Sequence, residues 1–194
     1  MVLKETIINE SLKLFSLKGF ISTSLHDILS AANTSKGGFY NHFSSKEALF
    51  YQVLDEARTI WRDRNLHDLD KADQHLDKVI RLLRNYKERY LLDAEKFPGG
   101  CIFIMFAVEL GDQLPHLSQE VQKGFVGLKA MIKRMLDQSK ESGELKADVN
   151  TGEMSEIIFN SMLGASVVFS TDKSAEKLDR SINALIDFLE TLRK

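Results

Sequence analysis

The sequence holds one cysteine, two prolines and one tryptophan in 194 residues. A single thiol excludes a disulfide within the chain, and that usage fits a reducing compartment, so a cytoplasmic location is expected. With so little proline and only 11 glycines, helices can run long without interruption. No stretch alternates apolar and polar residues as a half-buried strand does. No apolar run has membrane length and no signal-peptide pattern appears, so neither a membrane span nor a secretory leader is expected. Charge of either sign is not in excess: the net charge is −2. That argues against a protein that coats nucleic acid by bulk charge.

Catalytic and metal signatures are missing too. His67, Asp68, Asp70 and His75 cluster in sequence, but with no trusted ligand spacing, and a solvated linker accounts for them. There is no phosphate loop, nucleophile elbow or paired-histidine motif. No metal, no cofactor and no enzymatic activity are expected. Internal repeats and low-complexity segments are absent as well.

Apolar residues at helical spacing fill the rest, and the chain reads as all-α with about nine helices. Leu3, Ile7, Ile8, Leu12 and Phe15 mark the first, stopped by Gly19. Ser44-Ser45 caps a long fourth helix from Lys46, with Leu49, Val53, Leu54, Ala57 and Trp61 on one side. Leu76 to Tyr90 gives a fifth. Phe97-Pro98-Gly99-Gly100 breaks the chain before Cys101–Leu110, a short helix that is apolar nearly all round and therefore expected to be buried. Three more helices cover about Leu117–Ser142, Thr151–Phe169 and Ser174–Lys194.

Ser22 to Lys46 organises the chain. Thr23 and Ser24 precede Leu25, Ile28, Leu29 and Ala32 as N-cap residues, and Asp27 adds a favourable charge to the first turn. Asn33 suits the left-handed conformation that ends a helix. Thr34-Ser35 then caps a short second helix, Lys36 to about His42. Two such helices joined by a turn of three or four residues form a helix-turn-helix. Gly37 and Gly38 together cost about 1 kcal/mol each in a helix interior, which favours close approach of another surface over stability. Lys36, Tyr40, Asn41, His42 and Lys46 supply cations, hydroxyls and amides of the kind that bond phosphates and base edges. Phe39 and Phe43, four apart, anchor the helix inward. Residues 1–50 carry five lysines against four carboxylates, so affinity would rest on geometry and dimerisation. A structural alternative is a plain helical hairpin in a core.

Thr34-Ser35-Lys36-Gly37-Gly38-Phe39-Tyr40-Asn41-His42-Phe43, followed by Ser45-Lys46-Glu47-Ala48-Leu49, resembles the signature of the TetR family of bacterial transcriptional regulators. Leu14-Phe15, Gly19-Phe20, Thr23-Ser24 and Asp27-Ile28 match in order and spacing. Asn33 stands where the family usually has Gly, Gly38 where Ser, Thr or Asn is common, and Asn41 where an aromatic or basic residue is common. The last two bear on which operator is read. The resemblance implies a helix-turn-helix DNA-binding domain at 1–47 and a helical effector-binding and dimerisation domain at 48–194. It also implies a homodimer through the last two helices, a palindromic double-stranded operator, and a small-molecule inducer. The DNA-facing set is Thr23, Ser24, Ser35, Lys36, Gly37, Tyr40, Asn41, His42 and Lys46. The two-fold has an independent rationale, since paired recognition helices read half-sites about 34–36 Å apart.

Trp61, Tyr86, Tyr90, Phe103, Phe106, Phe125 and Met162 fit either a core or an inducer pocket. Cys101, at the start of a helix, fits either an inert buried thiol or a redox and electrophile sensor, because helix N-termini favour thiolate. Pro98 to Leu110 is similar to the Gly-Cys segment of an electrophile- and oxidant-sensing TetR subgroup. The expected function is a DNA-binding transcriptional repressor released by an inducer or by modification of Cys101. The alternatives are a DNA-binding regulator controlled by a protein partner, and an enzyme using the C-terminal cavity.

Overall fold

The computed structural model describes residues 2–194. Among the described residues nine α-helices follow one another: α1 Leu3–Lys18, α2 Leu25–Ala31, α3 Lys36–Tyr40, α4 Lys46–Asn65, α5 His75–Asn85, α6 Ile102–Leu110, α7 Pro115–Glu141, α8 Thr151–Asp172 and α9 Ala175–Thr191. A 3₁₀ turn, Leu69–Lys71, precedes α5, and a π-helical stretch, Tyr86–Leu91, continues it. The all-α expectation holds. Beyond helices there is one isolated antiparallel bridge, Leu145 to Arg193, among the described residues. No helix there is long and apolar enough to cross a membrane.

The chain forms two compact units that do not follow chain order. The first joins the chain through Trp61 with Asp93–Val121; the second joins Arg62–Leu92 with Gln122–Lys194. The first unit therefore contains α1 to α3, most of α4, and α6 as well.

Its core is aromatic. Phe15 of α1, Phe20, Phe50 of α4 and Phe106 of α6 are all buried. Ring centroids lie 5.4 Å apart for Phe15–Phe20, 5.2 Å for Phe20–Phe50, 6.1 Å for Phe15–Phe106 and 4.9 Å for Phe50–Phe106. Each buried ring contributes about 1.5–3 kcal/mol by leaving water. Phe106 is thus a core residue of this unit, one of the two readings that the sequence left open. The loop before α6 lies close on α1. Gly99 N–H donates to Ser16 Oγ at 3.3 Å, and a Cβ on Gly99 would fall into the Ser16 carbonyl. Backbone cannot yield as a side chain can, so only glycine fits. The expectation that α6 is buried all round is corrected. Ile102, Phe106 and Leu110 face inward, while Val108 is 81% exposed.

In the second unit α5 lies against α9, and both bury the apolar residues of one face, Leu76, Val79, Ile80 and Leu83 on α5 and Leu178, Ile182, Leu185 and Leu189 on α9. Polar ties fix the ends. The Asn85 amide donates to the Asn65 and His67 carbonyls at 3.0 and 2.8 Å. Arg193 reaches Asp77 at 2.6 Å, Glu190 at 2.7 Å, and Gln74. Glu144, just past α7, accepts from the His75 and Leu76 amides at 3.1 and 2.9 Å, and from the Ser139 and Ser142 hydroxyls at 3.0 and 2.8 Å. It caps α5 from a distance, serving N–H groups that a helix start leaves unpaired.

Burial works against the Glu144 charge, but those hydrogen bonds outweigh it and hold the carboxyl below its ordinary 4.5. A depressed folded-state value stabilises the fold above the unfolded value, and the gain is lost as pH falls through the folded one. Glu144→Gln is therefore expected to cost about 1–3 kcal/mol at neutral pH. The difference from the unmodified protein should shrink as acid takes the pH below 4.5. Urea melts of both proteins across pH measure it.

Candidate nucleic-acid interface

The helix-turn-helix is built by local caps. Ser24 Oγ accepts from the Asp27 N–H at 3.1 Å, while the Asp27 carboxylate accepts from the Ser24 N–H at 2.8 Å and its hydroxyl at 2.7 Å. This reciprocal box starts α2, and the Ser24 hydroxyl and amide keep the Asp27 carboxyl below its ordinary range. Asn33 takes φ +48°, the left-handed value expected of the turn. Ser35 Oγ accepts from the Gly38 N–H at 3.1 Å and starts α3.

α3 has an anchored side and an open side. Phe39 and Phe43 are buried with rings 5.4 Å apart. Tyr40 packs edge-on against Phe39 at 5.3 Å but is 55% exposed. Lys36, Gly37, Asn41 and His42 are exposed beside it, as are the capping residues Ser24 and Ser35. A Cβ on Gly37 would meet only Ser35 Oγ at 3.7 Å, so its open surface is available to another molecule. Gly38 differs. It is half-buried, and a Cβ there would run into the Thr34 hydroxyl, so its small size serves internal packing.

Two expected contacts lie elsewhere. Thr23 has 0% exposure and its hydroxyl donates to the Gly19 carbonyl at 2.6 Å, so that hydroxyl is turned inward and corrects the phosphate reading. The Lys46 ammonium, half-buried, donates to the Phe20 and Thr23 carbonyls at 2.8 and 2.9 Å and sits 4.3 Å from the Phe20 ring centroid. Burial depresses its pKa, and the Glu109 carboxylate works the other way.

Glu109 is the residue that sequence reasoning passed over. From α6 its carboxylate accepts from three consecutive amides, Phe20 at 2.6 Å, Ile21 at 2.8 Å and Ser22 at 3.3 Å. The loop turns there through Gly19, at φ +82°. A Cβ on Gly19 would collide with that carboxylate, so the glycine serves both the turn and the close approach. The available signal was one charge in an otherwise apolar helix.

The remaining candidates fall in separate units. Trp61 and Phe103 belong to the first and are partly exposed. Tyr86, Tyr90, Phe125 and Met162 belong to the second. There Tyr86 and Tyr90 stack at 5.7 Å on the π-helical stretch, and Phe125 meets Phe159 edge-on at 5.6 Å. An open cavity of about 380 Å³ lies among Lys146, Val149, Met154, Ile157 and Leu192. None of the seven expected pocket residues lines it. Cys101 is buried, at 9% exposure, and occupies the N-cap position of α6. Among the described residues no group of three or more His, Cys, Asp or Glu side chains could hold a metal ion.

Residues 7–53 match the family model for bacterial regulatory proteins, tetR family. Residues 75–185 match the model for a tetracyclin repressor-like C-terminal domain. The transcriptional repressor DhaR of Mycobacterium sp. strain GP1 is 25% identical over 187 residues, 96% of this chain and 91% of DhaR. A TetR transcriptional regulator from Chloroflexus aurantiacus superposes with a TM-score of 0.90 at 25% identity, covering 98% of this chain and 96% of that one. A cysteine mutant of the TetR-family regulator CifR, complexed with 26-base-pair operator DNA, shares the fold at a TM-score of 0.82 and 21% identity, covering 94% and 95% of the two chains. The chain belongs to the TetR family of bacterial regulatory proteins and is a DNA-binding transcriptional regulator.

Proposed function

We propose that this regulator is a cytoplasmic, homodimeric repressor whose α3 enters the major groove of a palindromic operator, and whose signal acts through the helices behind it. The division of α3 and the turn after it into a buried side, Phe39 and Phe43, and an open side carries this reading. Lys36 and Ser35 face phosphates, as does Ser24 at the start of α2. Tyr40, Asn41 and His42 present a hydroxyl, an amide and an imidazole to base edges and backbone, and Gly37 lets the duplex come close. Residues 1–47 serve DNA recognition in this account and 48–194 serve effector binding and dimerisation. Lys46 supports the interface from behind, by holding the loop that leads into it.

Dimerisation is supported by apolar side chains that one chain leaves in water. Ile157, Val167 and Val168 of α8 and Phe188 of α9 are exposed. A two-fold contact through α8 and α9 would cover them and pair the recognition helices.

For the signal, the Tyr86–Tyr90 stack sits on a π-helical stretch, and such stretches recur at functional sites. Tyr86, Tyr90, Phe125 and Met162 are the residues we assign to an inducer. To empty the operator, the inducer must prefer the released conformation by about 10⁴-fold. A second input is Cys101. Adding polar or bulky atoms to a buried thiol at the start of α6 would strain the packing around it.

Three outcomes follow. Tyr40→Ala should abolish the operator footprint while light scattering still reports a dimer; a retained footprint contradicts the interface. Phe188→Glu should yield a helical monomer by circular dichroism and light scattering, with operator affinity down by about 100-fold as the second half-site is lost. Gel shifts with N-ethylmaleimide should release DNA from the unmodified protein and not from Cys101→Ser. Release from both excludes the thiol as the input.

A further inference from the structure

The loop from Gly19 to Thr23 is held from both sides. Beneath it, the Glu109 carboxylate takes the amides of Phe20, Ile21 and Ser22. Across it, the Lys46 ammonium takes the carbonyls of Phe20 and Thr23. Five backbone groups in a stretch outside any helix are thereby bonded to two charged side chains, one on α6 and one on α4. The Thr23 hydroxyl closes the turn onto the Gly19 carbonyl, and Ser24, the next residue, caps α2. The loop therefore sets where α2 begins, and α2 with the four-residue turn that follows it sets where α3 stands.

α6 is itself fixed to the same unit along its length. Gly99, two residues before the Cys101 cap, lies against Ser16 at the end of α1. Phe106 fills the middle, between Phe15 and Phe50. Glu109 ends the contact on the loop. A displacement of α6 along or away from α1 therefore cannot leave the loop untouched. Its three amides would lose their shared carboxylate acceptor, and with it charge-assisted hydrogen bonds that are stronger than neutral ones.

We propose that Glu109 is a positioning residue for operator binding: it orients α2 and α3 through the loop amides, with Lys46 as its counterpart on the carbonyl side. This rests on the reading of α3 as the DNA-facing helix. Glu109 touches no DNA in this account. Its substitution changes the geometry presented to the duplex, not the count of phosphate contacts.

Duplexes enriched from a random library by the unmodified protein provide the probe. Glu109→Gln keeps the side chain's size and one acceptor oxygen, so it folds where Glu109→Ala, which empties the space under the loop, need not. The operator Kd of Glu109→Gln should rise at least about tenfold, equivalent to about 1.4 kcal/mol, measured at a temperature where melting curves show the variant fully folded. The slope of log K against log salt should stay unchanged, because no phosphate contact is lost, whereas Lys36→Gln should reduce that slope by about 1. Affinity for unrelated DNA should hold or increase, since a negative charge has been removed. A Kd within about twofold of the unmodified protein overturns the proposal, and so does a loss accompanied by a smaller salt slope. Tyr40→Ala, run in parallel, separates the two readings. If it binds as the unmodified protein does, the interface assignment fails. If it loses binding while Glu109→Gln keeps it, the positioning role alone fails.

Discussion

A half-buried carboxylate under three backbone amides is the interaction on which the DNA-binding unit depends. The segment between α1 and α2 has no helix or strand to supply acceptors for its amides. Glu109 supplies them from a helix nearly ninety residues further along the chain. The consequence is architectural. α6 joins the unit that holds the helix-turn-helix, and the aromatic cluster of Phe15, Phe20, Phe50 and Phe106 gives that union its apolar interior. α6 is tied by direct bonds to the loop that leads into the helix-turn-helix.

The second unit uses the same device at another place. Glu144 caps α5 from beyond the end of α7, and Arg193 ties the chain end to Asp77 near the start of α5. Ser24, Ser35, Asn150 and Ser174 cap their own helices from adjacent positions. Local caps decide where a helix starts. The distant glutamates decide which separate segments must move together, because one carboxylate cannot keep its bonds if its partners part.

Much of this was legible in the sequence, and the reason is local physics. Ser24, Asn33 and Ser35 each solve a problem within four residues of themselves, as Gly19 does in ending α1, so the three-helix unit and its turn could be read from the sequence. The outward set on α3 followed from the four-residue spacing of Phe39 and Phe43. What could not be read depended on distant partners. Thr23 carries the same hydroxyl as Ser24, yet one is sealed inside and the other is exposed. Lys46 looks like a phosphate ligand until the Phe20 and Thr23 carbonyls are placed beside it. Phe106 has the composition of a pocket wall and the position of a core residue. In α6 the apolar pattern implied burial all round, whereas the helix turns its one carboxylate toward the loop and leaves Val108 in water. Glu109 itself was visible only as a charge out of place.

Native-state hydrogen exchange on the unmodified protein tests the union of α6 with the helix-turn-helix most directly. The amides of Phe20, Ile21 and Ser22 should be protected although they lie outside any helix, and they should open with the same free energy as the amides of α6. Loop amides that exchange freely while α6 stays protected would mean that the carboxylate does not hold the loop in solution, and the account of α6 as part of the DNA-binding unit would be wrong.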